Sequence, residues 1–226
     1  WRAKEARDAA NRSDEQNLEN LLGKLAELRN RIARGNADQE ETIKLRTEEQ
    51  GLMKEIEDLG RKIAEQKKRD AEEDKRETLE RDMIDMRRHG MTSVGLCFGV
   101  PLECVTWSED DQCTLDLEQG GLYTHFMNLY RDLGYPAPVI LLADSGQSMA
   151  SLDQKYGFDS EEWATRYIRF WTAMQAAHKE RGWPEVIVQP VDEPGWQDQA
   201  ARDRNVRCLK LLKQIPGMRT EQDGPG

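Results

Sequence analysis

Gly182-Trp-Pro-Glu-Val-Ile-Val-Gln-Pro-Val-Asp-Glu-Pro194 decides how the rest of the chain is read. Gly182 closes a helical pattern, and Pro184 bars its continuation. Glu185–Gln189 then carries apolar side chains without alternation, as a parallel strand buried on both faces does. Asp192 and Glu193 end the run between Pro190 and Pro194. Consecutive strand residues face opposite sides, so both acids reach one pocket only if the strand bends at its end, which the two prolines permit.

The same logic extends in both directions. Thr92–Phe98, Val139–Ala143 and Met218–Glu221 read as further strands. Leu122, Phe126, Leu129 and Leu133 mark a helix that stops at Gly134. Asp159 and Glu162 are expected to cap a long helix carrying Trp163, Tyr167, Phe170, Trp171 and Met174, and Val206, Leu209 and Leu212 lie on the next. Leu102–Trp107 and Gln112–Leu117 read as a hairpin. Strand and helix in alternation predict an α/β fold with a parallel sheet covered by helices. Phe98-Gly99-Val100-Pro101 lacks the glycine pattern of a dinucleotide fold. The expected fold of residues 77–226 is therefore a partial, truncated (β/α)8 barrel of about four βα units. A complete small three-layer sandwich is the alternative.

Residues 1–76 differ in composition. Residues 1–90 hold 21 Lys/Arg and 23 Asp/Glu, while every Tyr and Phe and five of the six Trp come later. Leu18, Leu21, Leu25, Leu28 and Ile32 step by three and four, a narrow seam on one helix face. Ser13 with Gln16 reads as its capping box, and Gly35-Asn36 as its stop. Asp38 with Glu41 caps a second helix, whose seam runs through Leu45, Leu52, Ile56, Leu59 and Ile63, with Glu49 at one step. A charged antiparallel helical hairpin, or coiled coil, follows. It serves as a spacer, as a self-association arm or as a surface for a partner. Lys67–Lys75 is nearly devoid of apolar residues, and Leu79, Met83 and Met86 begin a new stripe that Gly90 ends.

Formal net charge is −10, which argues against nucleic acid or an anionic membrane as partner. The longest apolar run, Pro136–Ala143, is far short of the roughly 20 residues a membrane span needs. The chain begins at Trp1 without a signal-peptide pattern, so the natural start is expected further upstream, and localisation is open. Cys97, Cys104, Cys113 and Cys208 form no metal-binding spacing, although Cys104 and Cys113 flank the expected hairpin and could be bridged. His89, His125 and His178 are scattered and read as surface or helix-end residues. No metal or cofactor motif is present in the sequence.

In the barrel reading, Asp144 follows the second strand, Asp192 and Glu193 the third, and Asp223 the fourth. Each could equally be turn chemistry. Trp196 is either a stacking platform for a sugar ring or a core residue beneath the loop.

Asp82-Met-Ile-Asp-Met-Arg-Arg-His-Gly-Met-Thr-Ser-Val94, followed at a distance by the Gly182–Pro194 stretch, resembles barrels related to glycoside hydrolase family 123. The resemblance covers about residues 77–226. It implies a carbohydrate substrate, no cofactor, and retaining exo-hydrolysis of a 2-acetamido-2-deoxyhexoside assisted by the substrate's own acetamido group. Glu193 would be the acid/base, and Asp192 would orient the acetamido group. Apart from the resemblance, the barrel reading makes Trp196, Asp144 and Asp223 the substrate-binding candidates. A non-catalytic carbohydrate-binding or scaffolding module with an interaction arm is the other reading.

Overall fold

The structure, a computed structural model, describes residues 2–34, 38–95, 99–100, 102–119, 121–143 and 147–221. It divides into two compact units, Trp1–Lys75 and Arg76–Gly226.

In the first unit, α1 (Arg2–Ala33) runs antiparallel to the part of α2 (Gln39–Arg88) that precedes Arg76. Arg29 pairs with Glu49 near the turn, Asp14 with Lys62 midway, and Lys4 with Asp74 at the far end. Leu21, Leu25, Leu28, Leu45 and Ile63 are buried along the seam. Asp38 caps α2 by accepting from the Glu41 N–H at 2.9 Å. Ser13 and Gln16 are not a cap, because α1 starts eleven residues earlier, at Arg2. Lys4, Arg7 and Asn11 find carboxylate partners on α2, and these contacts support helix well before Ser13. Lys67–Lys75 is helical too, since a stretch of Lys, Arg, Glu, Asp and Ala without Gly or Pro has nothing to break it. The Leu79–Met86 stripe therefore belongs to the same 50-residue helix rather than to a separate one.

The second unit does not form the partial barrel that the alternating pattern predicts. Among the described residues the chain is mainly helical, with five short strands in two small sheets. β1 (Val105–Trp107) and β2 (Cys113–Leu115) form a two-stranded antiparallel ribbon. β3 (Val139–Leu142), β4 (Val186–Gln189) and β5 (Arg219–Thr220) form a parallel sheet in that order. Val139 is level with Val186, and Ile187 with Arg219. The strand expected at Thr92–Phe98 is absent over 92–95, while 96–98 lie outside the described residues. The reason lies in its neighbour. Pro136 and Pro138 have no N–H to donate, and among the described residues the two segments are joined by an Ala137 N–H to Thr92 carbonyl bond and a Ser93 hydroxyl bond to the Pro138 carbonyl.

Helices complete the unit: α3 (Gly121–Asp132), α4 (Gln147–Tyr156), α5 (Glu161–Glu180) and α6 (Gln199–Leu212). Ser160, not Asp159, caps α5, its hydroxyl accepting from the Trp163 N–H at 3.0 Å. Trp163, Tyr167, Phe126, Tyr130, Val188 and Met83 lie at the centre of the core. Trp163 stacks on Tyr167 at 4.7 Å, and its indole N–H donates to Asp153 at 2.7 Å.

The ribbon is held to α5 through Arg166. Its guanidinium pairs with Asp111 at the ribbon's turn and lies over Tyr156 at 4.1 Å and Trp107 at 5.2 Å. The ribbon register also settles the suggested disulfide. Cys113 is opposite Trp107, whereas the Cys104 carbonyl accepts from the Asp116 N–H. Three strand steps of about 3.3 Å separate the two, beyond the reach of a disulfide, and both thiols are free.

Candidate functional site

β4 leaves the sheet at Gln189, with Pro190 and Val191 still buried. Asp192 and Glu193 then emerge into solvent. Proline disfavours right-handed helical backbone in the residue before it, and Glu193 is left-handed at φ 42°, ψ 52°. For a residue with a Cβ that conformation costs on the order of 1–2 kcal/mol. Buried Pro194 anchors a 3₁₀ turn over Pro194–Trp196, closed by the Trp196 N–H donating to the Glu193 carbonyl at 2.9 Å. Gln197 folds back, its side-chain amide donating to the Asp192 carbonyl. Asp198 then caps α6, accepting from the Ala201 N–H at 2.9 Å. The helix cap is thus supplied by a different acid, and Asp192 and Glu193 are not used for it.

Trp196 is 76% exposed, the most open of the large apolar side chains described. It is not a core residue. The turn therefore presents an indole and two carboxylates to solvent, outside the carboxyl end of a parallel strand. In open α/β sheets that edge is where ligands bind. Asp144 and Asp223 lie outside the described residues, so only Asp192, Glu193 and Trp196 of the expected set are placed, and they share one turn.

A small apolar cavity is lined by Val100, Tyr123, Leu141, Ala143, Phe170 and Trp171 among others. Neither acid lines it. Among the described residues no group of three or more His, Cys, Asp or Glu side chains is placed to hold a metal ion. Among the same residues no helix is long and apolar enough to cross a membrane.

His178 lies in the last turn of α5, the helix-end position that its place in the sequence allowed. It is buried at the end of α5, not exposed there. The Pro184 carbonyl can only accept, so Nδ1 carries the proton and donates to it at 2.8 Å. Nε2 then accepts from the Tyr123 hydroxyl at 2.6 Å. Trp183 meets both rings edge-on, at 5.2 Å and 6.1 Å. Burial pulls the imidazole pKa from 6.5 to about 4, only partly opposed by the Pro184 bond, and pushes the Tyr123 phenol well above its usual value. This neutral pair lies near the amino end of β4, opposite the Asp192–Glu193 turn. Its geometry is that of a structural clamp. Gly182-Trp-Pro was the available signal: a chain turning sharply there folds Pro184 back onto the last turn of α5.

No family model, curated protein or solved structure matches the chain, so the resemblance to family 123 rests on the quoted residues alone.

Proposed function

We propose that the second unit recognises a saccharide at the turn after β4. The exposed indole of Trp196 beside two carboxylates carries this reading. A flat aromatic face takes the C–H face of a sugar ring, and carboxylates accept hydrogen bonds from its hydroxyl or acetamido N–H groups. Non-catalytic binding fits the open position of the acids best. Isothermal titration with N-acetylhexosamine oligosaccharides is the test. Trp196→Ala should weaken binding at least tenfold, and equal affinity in the variant would remove the turn from the site.

Hydrolysis is a second reading, favoured by one observation: Glu193 is held in a left-handed backbone, and such strain concentrates at functional sites. In that reading Glu193 protonates the leaving glycosidic oxygen. The substrate's acetamido oxygen attacks the anomeric carbon, and Asp192 hydrogen-bonds the acetamido N–H as charge develops there. Glu193→Gln should then lower turnover of aryl N-acetylhexosaminides by about 10²–10⁴. Unchanged rates in Glu193→Gln and Asp192→Ala would leave binding alone.

A further inference from the structure

The helical hairpin of the first unit has two unlike faces. Its seam runs through Leu21, Leu25 and Leu28 on α1 and through Leu45, Leu52 and Ile56 on α2. In an antiparallel pair, positions one residue beyond the seam on both helices point to the same side. Two contacts demonstrate this. Arg29, next after Leu28, reaches the Met53 sulfur, next after Leu52, at 3.5 Å. Glu15 pairs with Lys67 at 2.6 Å in the same relation. Leu22 (48% exposed), Ile43 (61%) and Met53 (48%) all occupy this side. They are joined there by Ala26, Ala33 and Ala64. The opposite side carries Lys24, Glu27, Arg31, Lys44, Glu48, Glu55 and Asp58, with no large apolar residue.

The charges on the apolar side are also ordered. Arg46 lies toward the turn, as does Arg29, whose charge Glu49 pairs, while Glu57 and Glu19 lie further along; by the Arg29–Glu49 and Asp14–Lys62 pairings these two acids are nearly level. Among the described residues neither Arg46 nor Glu57 has an ion-pair partner. Met53 and Ala26 lie midway between the basic and acidic groups, which are about 16 Å apart along the helix. A two-fold axis through Met53 and Ala26 would place Arg46 of each copy over Glu57 and Glu19 of the other, with the apolar side chains packed between them. A surface complementary to itself in this way makes a closed, isologous dimer. From Ile43 to Ala64 the face is about 33 Å long and two helices wide, or roughly 650 Å² per copy, within the range of stable interfaces.

We infer that the first unit is a homodimerisation arm, two hairpins packing through this side into an antiparallel four-helix bundle. A second copy of this chain is the occupant that the charge order selects.

The test uses the whole chain in sedimentation velocity across a concentration series. Arg46→Glu and Glu57→Arg should each raise the dimer dissociation constant about tenfold, and the double reversal should bring it back to within about threefold of wild type. Met53→Glu should raise it further. Independently, Met53→Cys should cross-link copy to copy through residue 53 under mild oxidation, read by mass spectrometry of the joined peptide, whereas Lys24→Cys should not. A wild-type chain that stays monomeric to about 100 μM would overturn the inference. So would a dimer indifferent to the reversals, or one whose double reversal is no better than the singles. The double reversal keeps the test decisive if Met53→Glu unfolds the arm, which far-ultraviolet circular dichroism would reveal.

Discussion

Acidification should destabilise the second unit through His178 before most carboxylates titrate. Folded His178 has a pKa of about 4, against 6.5 in an unfolded chain. Between these values the unfolded chain binds a proton that the folded chain refuses, so stability falls as pH falls. The contribution is complete above about pH 6.5 and gone below about pH 4. Linkage gives a loss of about 2 kcal/mol between pH 7 and pH 5, and about 3 kcal/mol by pH 4. The structural origin is specific. A protonated ring would carry a second N–H toward the Tyr123 hydroxyl, which presently donates to it, and would bring a charge between Tyr123 and Trp183 with no carboxylate bonded to either nitrogen. Urea unfolding at pH 7, 6 and 5, followed by tryptophan fluorescence, measures the slope. His178→Gln keeps a donor and an acceptor but cannot ionise, so its stability should change about 2 kcal/mol less over the same interval. Equal slopes in the two proteins, or a His178 ring resonance titrating near 6.5, would refute the reasoning.

Other outcomes follow from single contacts. Arg166→Met should cost about 2–4 kcal/mol in thermal unfolding, because it strands Asp111 and removes the cation from between Tyr156 and Trp107; Arg166→Lys should not restore it, lacking the planar fork. Glu193→Gly should stabilise the second unit by about 1 kcal/mol in urea unfolding by removing the left-handed strain, and a loss of stability would show that the Glu193 side chain contributes more than its backbone costs. Burial pushes the Cys113 thiol up to about 11, so iodoacetamide at pH 8 should modify it much more slowly than a free thiol, and oxidation should leave no Cys104–Cys113 bridge in the peptide map.

The parallel strands were legible where the chain is apolar without a break, at Val139–Leu142 and Val186–Gln189. Thr92–Phe98 has a similar look, yet over its described residues, 92–95, the chain lies beside the donor-poor Pro136-Ala-Pro138 segment, some forty residues away, and forms no strand. Local pattern is silent about such partners, and that is why an alternating sequence suggested a larger barrel than the three-stranded sheet the chain forms. Ser13 failed as a cap for the same kind of reason: ion pairs with α2 extend the helix past a good local stop. The turn at Asp192–Glu193 was readable from its flanking prolines. Its exposure was not, since the core that leaves it outside is assembled from α5, α6 and the sheet. That His178 ends its helix was legible, but its burial was not, because its partner Tyr123 is 55 residues distant.

The order of residues along the hairpin gives it a direction of opening. Near the turn its seam is leucine; toward the other end it becomes Arg7 with Glu73 and Asp74, and Asn11 with Asp70. Salt screens exposed charges over about 8–10 Å at physiological strength but leaves apolar contacts intact. Raising the salt should therefore peel the two helices apart from the Arg2 end, as a zip-fastener runs toward its stop. Amide hydrogen exchange should record a gradient along α1, steep in protection from Leu28 back to Arg7, that sharpens with ionic strength while the leucines beside the turn hold.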